Sequence, residues 1–413
     1  RRAADTCTLS LKWCYQLLLD LGGHRSFINR HGLSEDDLAH ELGLAEWLDD
    51  DQYSPALALT TLRTRARAFN AEHMTALYPN NLQSNLEALG ALLGLGESGL
   101  QVLGFCVLMH SDPTLSDATD QLGMLGLNRA MKVLSVLLGL PLAEVEACLA
   151  HNSPLMRTGL LDLSTNHRAV MALSSTLSVS NPDLPGLLRF SKGTPLELFA
   201  YAFRLSPPGS LNREHYRHIS QALTIAERYL SKSLAQARQG VNILLYGPPG
   251  TGKTQLSRLI AETLGCALYE VACTDSQGDP VSAKQRLCSL RAANSVLRSQ
   301  PALLVLDEIE DIFQAAPSAP NSHSQKGWIN RMLEENSQPC FWLSNSIETI
   351  DPAHMRRFDL VIEVPNPPLA QRKQMLHTCS AGKLSEVLIE QLCAHEQMTP
   401  AVLERAVRVG RSV

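Results

Sequence analysis

A short apolar run that feeds directly into a glycine-rich turn and then into a helical pattern leaves few folds open to this chain. Residues 247–254 read Gly-Pro-Pro-Gly-Thr-Gly-Lys-Thr, directly after Val241, Ile243, Leu244, Leu245 and Tyr246, and Leu256, Leu259 and Ile260 follow at helical spacing. Strand, Gly-rich loop and helix N-terminus in that order make a P-loop, the signature of a nucleoside triphosphate site. Gly247, Gly250 and Gly252 let the backbone curl its N–H groups toward a β-phosphate, and the dipole of the following helix adds positive potential. Lys253 reaches the β and γ oxygens. The hydroxyl of Thr254 offers an oxygen to Mg²⁺, a hard cation that keeps most of its waters. Pro248, Pro249 and Thr251 complete the loop and Gln255 follows it, so 247–255 is the expected phosphate cradle.

At 413 residues the chain exceeds one ordinary hydrophobic core, so two or three domains are expected, and 45% hydrophobic residues suffice to build them. A formal charge of −5 gives no basic footprint for a nucleic-acid backbone, so nucleic acid is not an expected partner. The ten cysteines are scattered without a Cys-x-x-Cys pair, as small thiols of a reducing compartment would be. No apolar run approaches the roughly 18 residues that span a bilayer, and no signal-peptide pattern opens the chain. The expectation is a cytoplasmic protein with no membrane partner.

Residues 1 to about 203 read as almost wholly helical. Leu11, Cys14, Tyr15 and Leu18 keep a one-faced helical spacing, as do Leu82, Leu86, Leu89 and Leu93. Three stretches, 38–44, 89–95 and 134–140, each end in Leu-Gly-Leu or its equivalent, a common helix stop. Residues 33–44 also admit a helix-turn-helix reading, although Asp49, Asp50 and Asp51 beyond them suit phosphates poorly. Pro- and Ser-containing stretches at 180–186 and 206–210 end this region. The expected organisation is an all-α N-terminal domain (1–210), an α/β core (211–365) with a parallel sheet wrapped by helices, and a C-terminal helical lid (366–413). Within the core, a helix over 219–237 precedes strands at 241–246, 267–272, 302–306, 340–344 and 360–364, with helices between them.

The apolar stretch 303–306 delivers Asp307 and Glu308 to the carboxyl end of a strand, where open α/β sheets bind their ligands. Asp307 is placed to hold Mg²⁺ through its water shell, and Glu308 to polarise an attacking water. The stretch 340–344 delivers Asn345, whose amide can hold the lytic water or the γ-phosphate. Residues 351–359, Asp-Pro-Ala-His-Met-Arg-Arg-Phe-Asp, then carry Arg356 and Arg357 near a helix end. An arginine reaching a neighbouring subunit's γ-phosphate contributes about 10³ to 10⁵ in rate.

Taken together, these motifs resemble the AAA+ ATPase family: Walker A at 247–254, Walker B at Asp307 and Glu308, sensor 1 at Asn345, and the arginine-finger segment at 351–359. The stretches 326–331 and 356–359 are similar to bacterial AAA proteins with a long helical N-terminal region. The resemblance covers about 211–413. It implies ATP and Mg²⁺ as ligands, assembly of identical subunits into a ring, usually a hexamer, and hydrolysis at subunit interfaces. It also points to His218 and Ile219 as adenine contacts. Arg405 and Arg408, in the helix that Pro400 begins, are sensor-2 candidates alongside an ordinary surface-charge reading. Two features depart from the family pattern. Arg356 and Arg357 are adjacent rather than separated by Pro-Gly, which leaves the finger between them, with Arg356 slightly favoured. The segment 274–282, where threading members carry an aromatic paddle, has no aromatic residue and also reads as a simple turn. The implied function is Mg²⁺-dependent ATP hydrolysis that remodels a protein partner recruited by the N-terminal domain, or alternatively an ATP-gated assembly switch without threading. Residues 315–325, rich in Pro, Ser, Asn and His, read as a mobile surface loop.

Overall fold

The computed structural model describes residues 7–48, 53–73, 76–164, 170–275, 278–313, 322–348, 350–380, 385–394, 399, 402 and 405. Its contacts divide the chain into two compact units, Arg1–Phe199 and Ala200–Val413.

The first unit is built mainly of helices, among them Thr8–Leu19, Pro55–Glu72, Asn80–Leu93, Glu97–Ser111 and Leu127–Leu138. The helix Glu97–Ser111 is apolar on nearly every side and is buried accordingly, with Val102, Leu103, Phe105, Cys106, Val107 and Leu108 wholly covered. Trp13 packs edge-on to Phe105 at 5.1 Å, and its indole N–H donates to the Leu137 carbonyl. The glycines after the leucine stretches end their helices as the sequence suggests: Gly94 and Gly139 sit at left-handed φ of 65°, where a side chain costs about 1–2 kcal/mol. Two small antiparallel pairs interrupt the helices, β1 (Ile28–Asn29) with β2 (Gly32–Leu33) and β3 (Leu161–Leu163) with β4 (Leu177–Val179). Such short segments carry too little alternation to be read from sequence. In the stretch proposed as a helix-turn-helix, the helix Asp36–Glu41 has only six residues and a 3₁₀ turn, Ala45–Trp47, follows it. Asp49, Asp50 and Asp51 lie outside the described residues.

The second unit holds a six-stranded sheet of β5 (Phe203–Leu205), β6 (Asn242–Tyr246), β7 (Ala267–Val271), β8 (Ala302–Leu306), β9 (Cys340–Ser344) and β10 (Leu360–Glu363). Their order is β10-β6-β9-β8-β7-β5, and all neighbours run parallel except β5, which pairs antiparallel with β7. The central strands β8 and β9 are buried at every position, which is why they read as continuous apolar runs rather than alternating ones. Helices Ser220–Ala235, Lys253–Leu264 and Ala283–Val296 connect and flank the strands. Residues 203–205, placed by the sequence in the helical region ahead of a boundary at 210, instead form the edge strand β5 of this sheet. Residues 322–325, read as part of a surface loop, form the first turn of the helix Ser322–Glu335, and 314–321 lie outside the described residues.

Candidate functional site

Strand β9 lies between β6 and β8 and pairs in parallel with both, Tyr246 opposite Ser344 and Leu306 opposite Trp342. The segments leaving the carboxyl ends of the three strands therefore meet. Gly247 leaves β6 at φ 148°, where a Cβ would overlap the Val364 carbonyl, so only glycine fits. Gly252, at φ 93°, opens the helix Lys253–Leu264, and a Cβ there would lie 2.9 Å from the Tyr216 hydroxyl. That hydroxyl donates to the Gly252 carbonyl at 2.9 Å, bracing the loop from below. Thr251 is buried and its hydroxyl donates to the Pro248 carbonyl at 3.0 Å, while Pro249 and Gly250 stay exposed at the mouth.

Lys253 is 7% exposed, and its ammonium donates to the carbonyls of Gly247 (2.7 Å) and Pro248 (3.1 Å) and to Asn345 Oδ1 (3.0 Å). Burial lowers its pKa, and the carboxylates of Asp307 and Glu310 oppose that shift. Thr254 Oγ1 donates to Asp307 Oδ2 at 2.8 Å. A hydroxyl and a half-buried carboxylate side by side are the hard oxygen donors that suit a Mg²⁺ retaining several waters. The sequence-predicted set Lys253, Thr254, Asp307 and Asn345 is thus one connected cluster.

Glu308 is exposed and sits at φ +50°, a conformation that costs a residue with a side chain about 1–3 kcal/mol. The surroundings hold it there. Glu308 N–H donates to Asp307 Oδ1 at 2.9 Å, and Ile309 N–H to the Leu343 carbonyl at 3.1 Å. The guanidinium of Arg286, a residue 4% exposed in the helix Ala283–Val296, donates to the carbonyls of Asp307 and Glu308 (2.9 Å to the latter) and to Asp311 Oδ1 at 2.6 Å. Glu310 accepts from the Ser344 hydroxyl at 3.0 Å and from the Asn345 N–H, fixing the start of the segment that carries Asn345. Arg286, Glu310 and Tyr216 escaped the reading of the sequence. Arg286 had one visible signal, since it occupies the apolar stripe continued by Leu290, Ala293 and Leu297.

The remaining predicted residues stand apart from the cluster. Arg356 ends the short helix Pro352–Met355 and is exposed, its side chain making no hydrogen bond or ion pair among the described residues, whereas Arg357 is ion-paired with Glu334. His218 and Ile219 lie at the end of the 3₁₀ segment Arg213–Ile219, where His218 Nδ1 meets Gln371 Oε1 at 3.0 Å. Burial lowers the His218 pKa, against hydrogen bonds to Gln371 and the Pro365 backbone. The side-chain carbonyl of Gln255 accepts from Ser210 N–H at 2.8 Å rather than joining the Lys253 cluster. Arg405 is exposed, and Pro400 and Arg408 lie outside the described residues, as do Ser276 and Gln277. Around the latter, Thr274 bridges Pro280, Asp279 N–H donates to Asp275 Oδ1 at 2.9 Å, and Val281 N–H to the Cys273 carbonyl at 3.1 Å.

A P-loop whose lysine and threonine meet a strand-end aspartate and a neighbouring asparagine defines a P-loop nucleotide site. Residues 243–366 match the family described as ATPase family associated with various cellular activities (AAA), so this stretch of the chain is an AAA ATPase domain. It is 30% identical over 159 residues to the ATP-dependent zinc metalloprotease FtsH of Mesoplasma florum, covering 36% of this chain and 24% of that protein. It is 28% identical over 166 residues to spastin of Naegleria gruberi, covering 37% of this chain and 31% of that protein. The chain thus spans about a quarter to a third of the length of these relatives. Among solved structures, the FIGL-1 AAA domain in complex with ADP aligns with a TM-score of 0.38 and 18% identity, covering 50% of this chain and 74% of that one. No group of three or more His, Cys, Asp or Glu that could hold a metal ion occurs among the described residues, and no single helix among them is long and apolar enough to cross a membrane.

Proposed function

We propose that this chain hydrolyses ATP with Mg²⁺ at a site completed by a second copy of itself, and that the cycle remodels a protein partner recruited by the N-terminal unit. The observation that carries the hydrolytic part is the single cluster in which Lys253 meets Asn345 and Thr254 meets Asp307, with Glu308 beside it. Lys253 exchanges its present bonds to the Gly247 and Pro248 carbonyls for phosphate oxygens as the P-loop N–H groups close on the β-phosphate. Thr254 and, through water, Asp307 would hold Mg²⁺, which would supply positive charge against the phosphate oxygens. Asn345 orients the attacking water. Glu308 takes a proton as the water oxygen bonds to the γ-phosphorus and the bond to the β–γ bridging oxygen breaks, leaving ADP and phosphate. His218 and Ile219 border the adenine, and Gln255 supports the loop through Ser210.

Arg356 is the group we assign to the neighbouring subunit's γ-phosphate, since it is exposed and unengaged while Arg357 is held by Glu334. A closed ring, commonly of six copies in this family, gives every site such an arginine. The protein works in an aqueous, reducing compartment in this reading. A second reading, an ATP-gated assembly switch, is favoured by one observation: the segment 274–282 has no aromatic side chain and closes on itself through the Thr274–Pro280 bridge. Phosphate release and fluorescent-nucleotide binding test the hydrolytic claim together. Glu308→Gln is expected to keep ATP affinity within about threefold while turnover falls about 10²- to 10⁴-fold; near-normal turnover in that variant refutes the assignment. Turnover stimulated by an unfolded polypeptide separates remodelling from the switch, which predicts nucleotide-dependent assembly without stimulation.

A further inference from the structure

We propose that Arg286 is a positioning residue that sets the geometry of Glu308 and ties it to the segment 274–282. This rests on the hydrolytic reading above and adds to it a route by which that segment governs turnover. The guanidinium of Arg286 is buried, at 4% exposure, and spans the two consecutive carbonyls that flank the strained turn, those of Asp307 and Glu308. A planar fork with several fixed donors suits two adjacent carbonyl oxygens, where a lysine offers only a point charge. Its remaining partner, Asp311 Oδ1 at 2.6 Å, lies one turn further along the same segment, so one side chain clamps 307, 308 and 311 together. Glu308 has no glycine's freedom at φ +50°, and the clamp opposes its relaxation to an ordinary backbone conformation.

The same arginine belongs to the first turn of the helix Ala283–Val296, four residues beyond the N-cap Ser282. Ser282 closes a capping box with Gln285, its hydroxyl accepting the Gln285 N–H at 3.3 Å and the Gln285 side chain accepting the Ser282 N–H at 3.0 Å. The loop ahead of this cap is closed by the Thr274–Pro280 bridge and by Val281 N–H on the Cys273 carbonyl. Between loop and clamp there is thus only a capped helical turn, a short rigid connection. A displacement of the 274–282 loop rotates that turn, moves the Arg286 fork and alters the carbonyl it holds. Loop position therefore reads out as the position of the carboxylate that takes the water proton.

The test compares Arg286→Lys, Arg286→Gln and Asp311→Asn with wild type and Glu308→Gln, measuring kcat, KM for MgATP, nucleotide affinity and thermal midpoint in the full chain. Arg286→Gln is expected to lower kcat about 30- to 100-fold while KM and nucleotide affinity change less than threefold. Arg286→Lys, which keeps the charge and loses the fork, recovers part of that loss. Asp311→Asn leaves both carbonyl bonds in place and costs about threefold or less. Displacing the loop with Gly278→Pro, whose ring cannot adopt the φ of 88° found there and which loses the N–H bonded to the Asp275 carbonyl, lowers kcat in wild type but has no further effect in Arg286→Gln, because the connection is already cut. Wild-type kcat in Arg286→Gln overturns the proposal, and so does a loss of nucleotide affinity and thermal midpoint matching the loss of kcat in both Arg286 variants, which marks a structural role. A wild-type protein that binds ATP without hydrolysing it overturns the hydrolytic reading itself, a result distinct from either.

Discussion

The two units bury charge for different ends. In the first, Arg189 and Asp112 are 3% and 1% exposed at their side chains and meet each other at 3.3 Å, with a further bond from Arg189 to the Ser111 carbonyl. The pair joins the helix Leu184–Phe190 to the end of Glu97–Ser111. In the second, the buried cations Lys253 and Arg286 are bonded largely to backbone carbonyls at the ends of strands, next to Asn345, Asp307 and a residue at positive φ. A buried ion pair closes a core. Buried cations aimed at strand-end carbonyls, with carboxylates left half-exposed, hold a site ready for an anion that is to arrive.

The widest break expected between the two kinds of charge is at Arg356. On the proposal that Arg356 completes a neighbour's site, Arg356→Ala is expected to lower ATP turnover about 10³- to 10⁵-fold. Arg357→Ala, which removes only an exposed ion pair with Glu334, costs less than about 1 kcal/mol of stability and leaves most activity. Mixing Arg356→Ala with Glu308→Gln subunits checks the sharing directly: partial recovery of turnover supports a site built from two copies, and none removes that assignment.

Next in size is the pair in the first unit. Asp112→Ala takes the Asp112 carboxylate from the buried Arg189 guanidinium and is expected to destabilise that unit by about 3–5 kcal/mol, read by urea unfolding. Replacing both with apolar residues of similar volume is expected to restore much of the loss. If the double variant is as unstable as the single one, the pair does more than close a core, and the contrast drawn between the units fails.

The chemistry was far more legible in the sequence than the packing around it. The P-loop, Asp307 with Glu308, and Asn345 each follow directly on an apolar strand, so type, spacing and position are all carried by contiguous residues. Strands predicted at 302–306 and 340–344 coincide with β8 and β9. By contrast, Arg286 acts on residues 21–25 positions away on another element, and its own neighbours show only a charge on an apolar stripe. Glu310 serves Ser344 and Asn345, 34 and 35 residues on. Strand β5 has three residues and pairs with β7 only because the chain returns there after the helix Ser220–Ala235 and the P-loop. Local pattern predicts what a residue is; long-range pairing decides what it holds.

A smaller effect belongs to the helix stops of the first unit. Gly139 sits at φ 65° in open space, where a Cβ would meet no atom within 4 Å, so Gly139→Ala introduces backbone strain without a clash. The expected loss is about 1–2 kcal/mol in urea unfolding, with nucleotide affinity unchanged. A neutral or stabilising result means the helix end relaxes, and the leucine-glycine echo is then not a conformational requirement.

The smallest expected effect concerns His218, where the comparison between the two uses of burial is most finely balanced. Its folded pKa lies below the ordinary imidazole value of about 6.5, chiefly through burial, so the folded state binds a proton less readily than the unfolded chain. Above that value the ring is neutral in both states and contributes no pH dependence. As pH falls through about 6.5 toward the folded pKa, the unfolded state takes up protons first and stability drops, until both states are protonated and the penalty is complete. His218→Gln keeps a side chain able to bond Gln371 Oε1 and removes the titration. The difference in thermal midpoint between pH 7.5 and 5.5 is therefore expected to be smaller in the variant than in wild type. ATP affinity provides the sharper arm: if His218 borders the adenine, bound nucleotide excludes water from the ring, lowers its pKa further and makes affinity fall over the same pH range. Equal pH dependence of ATP affinity in wild type and variant assigns His218 to the contact with Gln371 alone, as a half-buried group that serves packing and not the ligand.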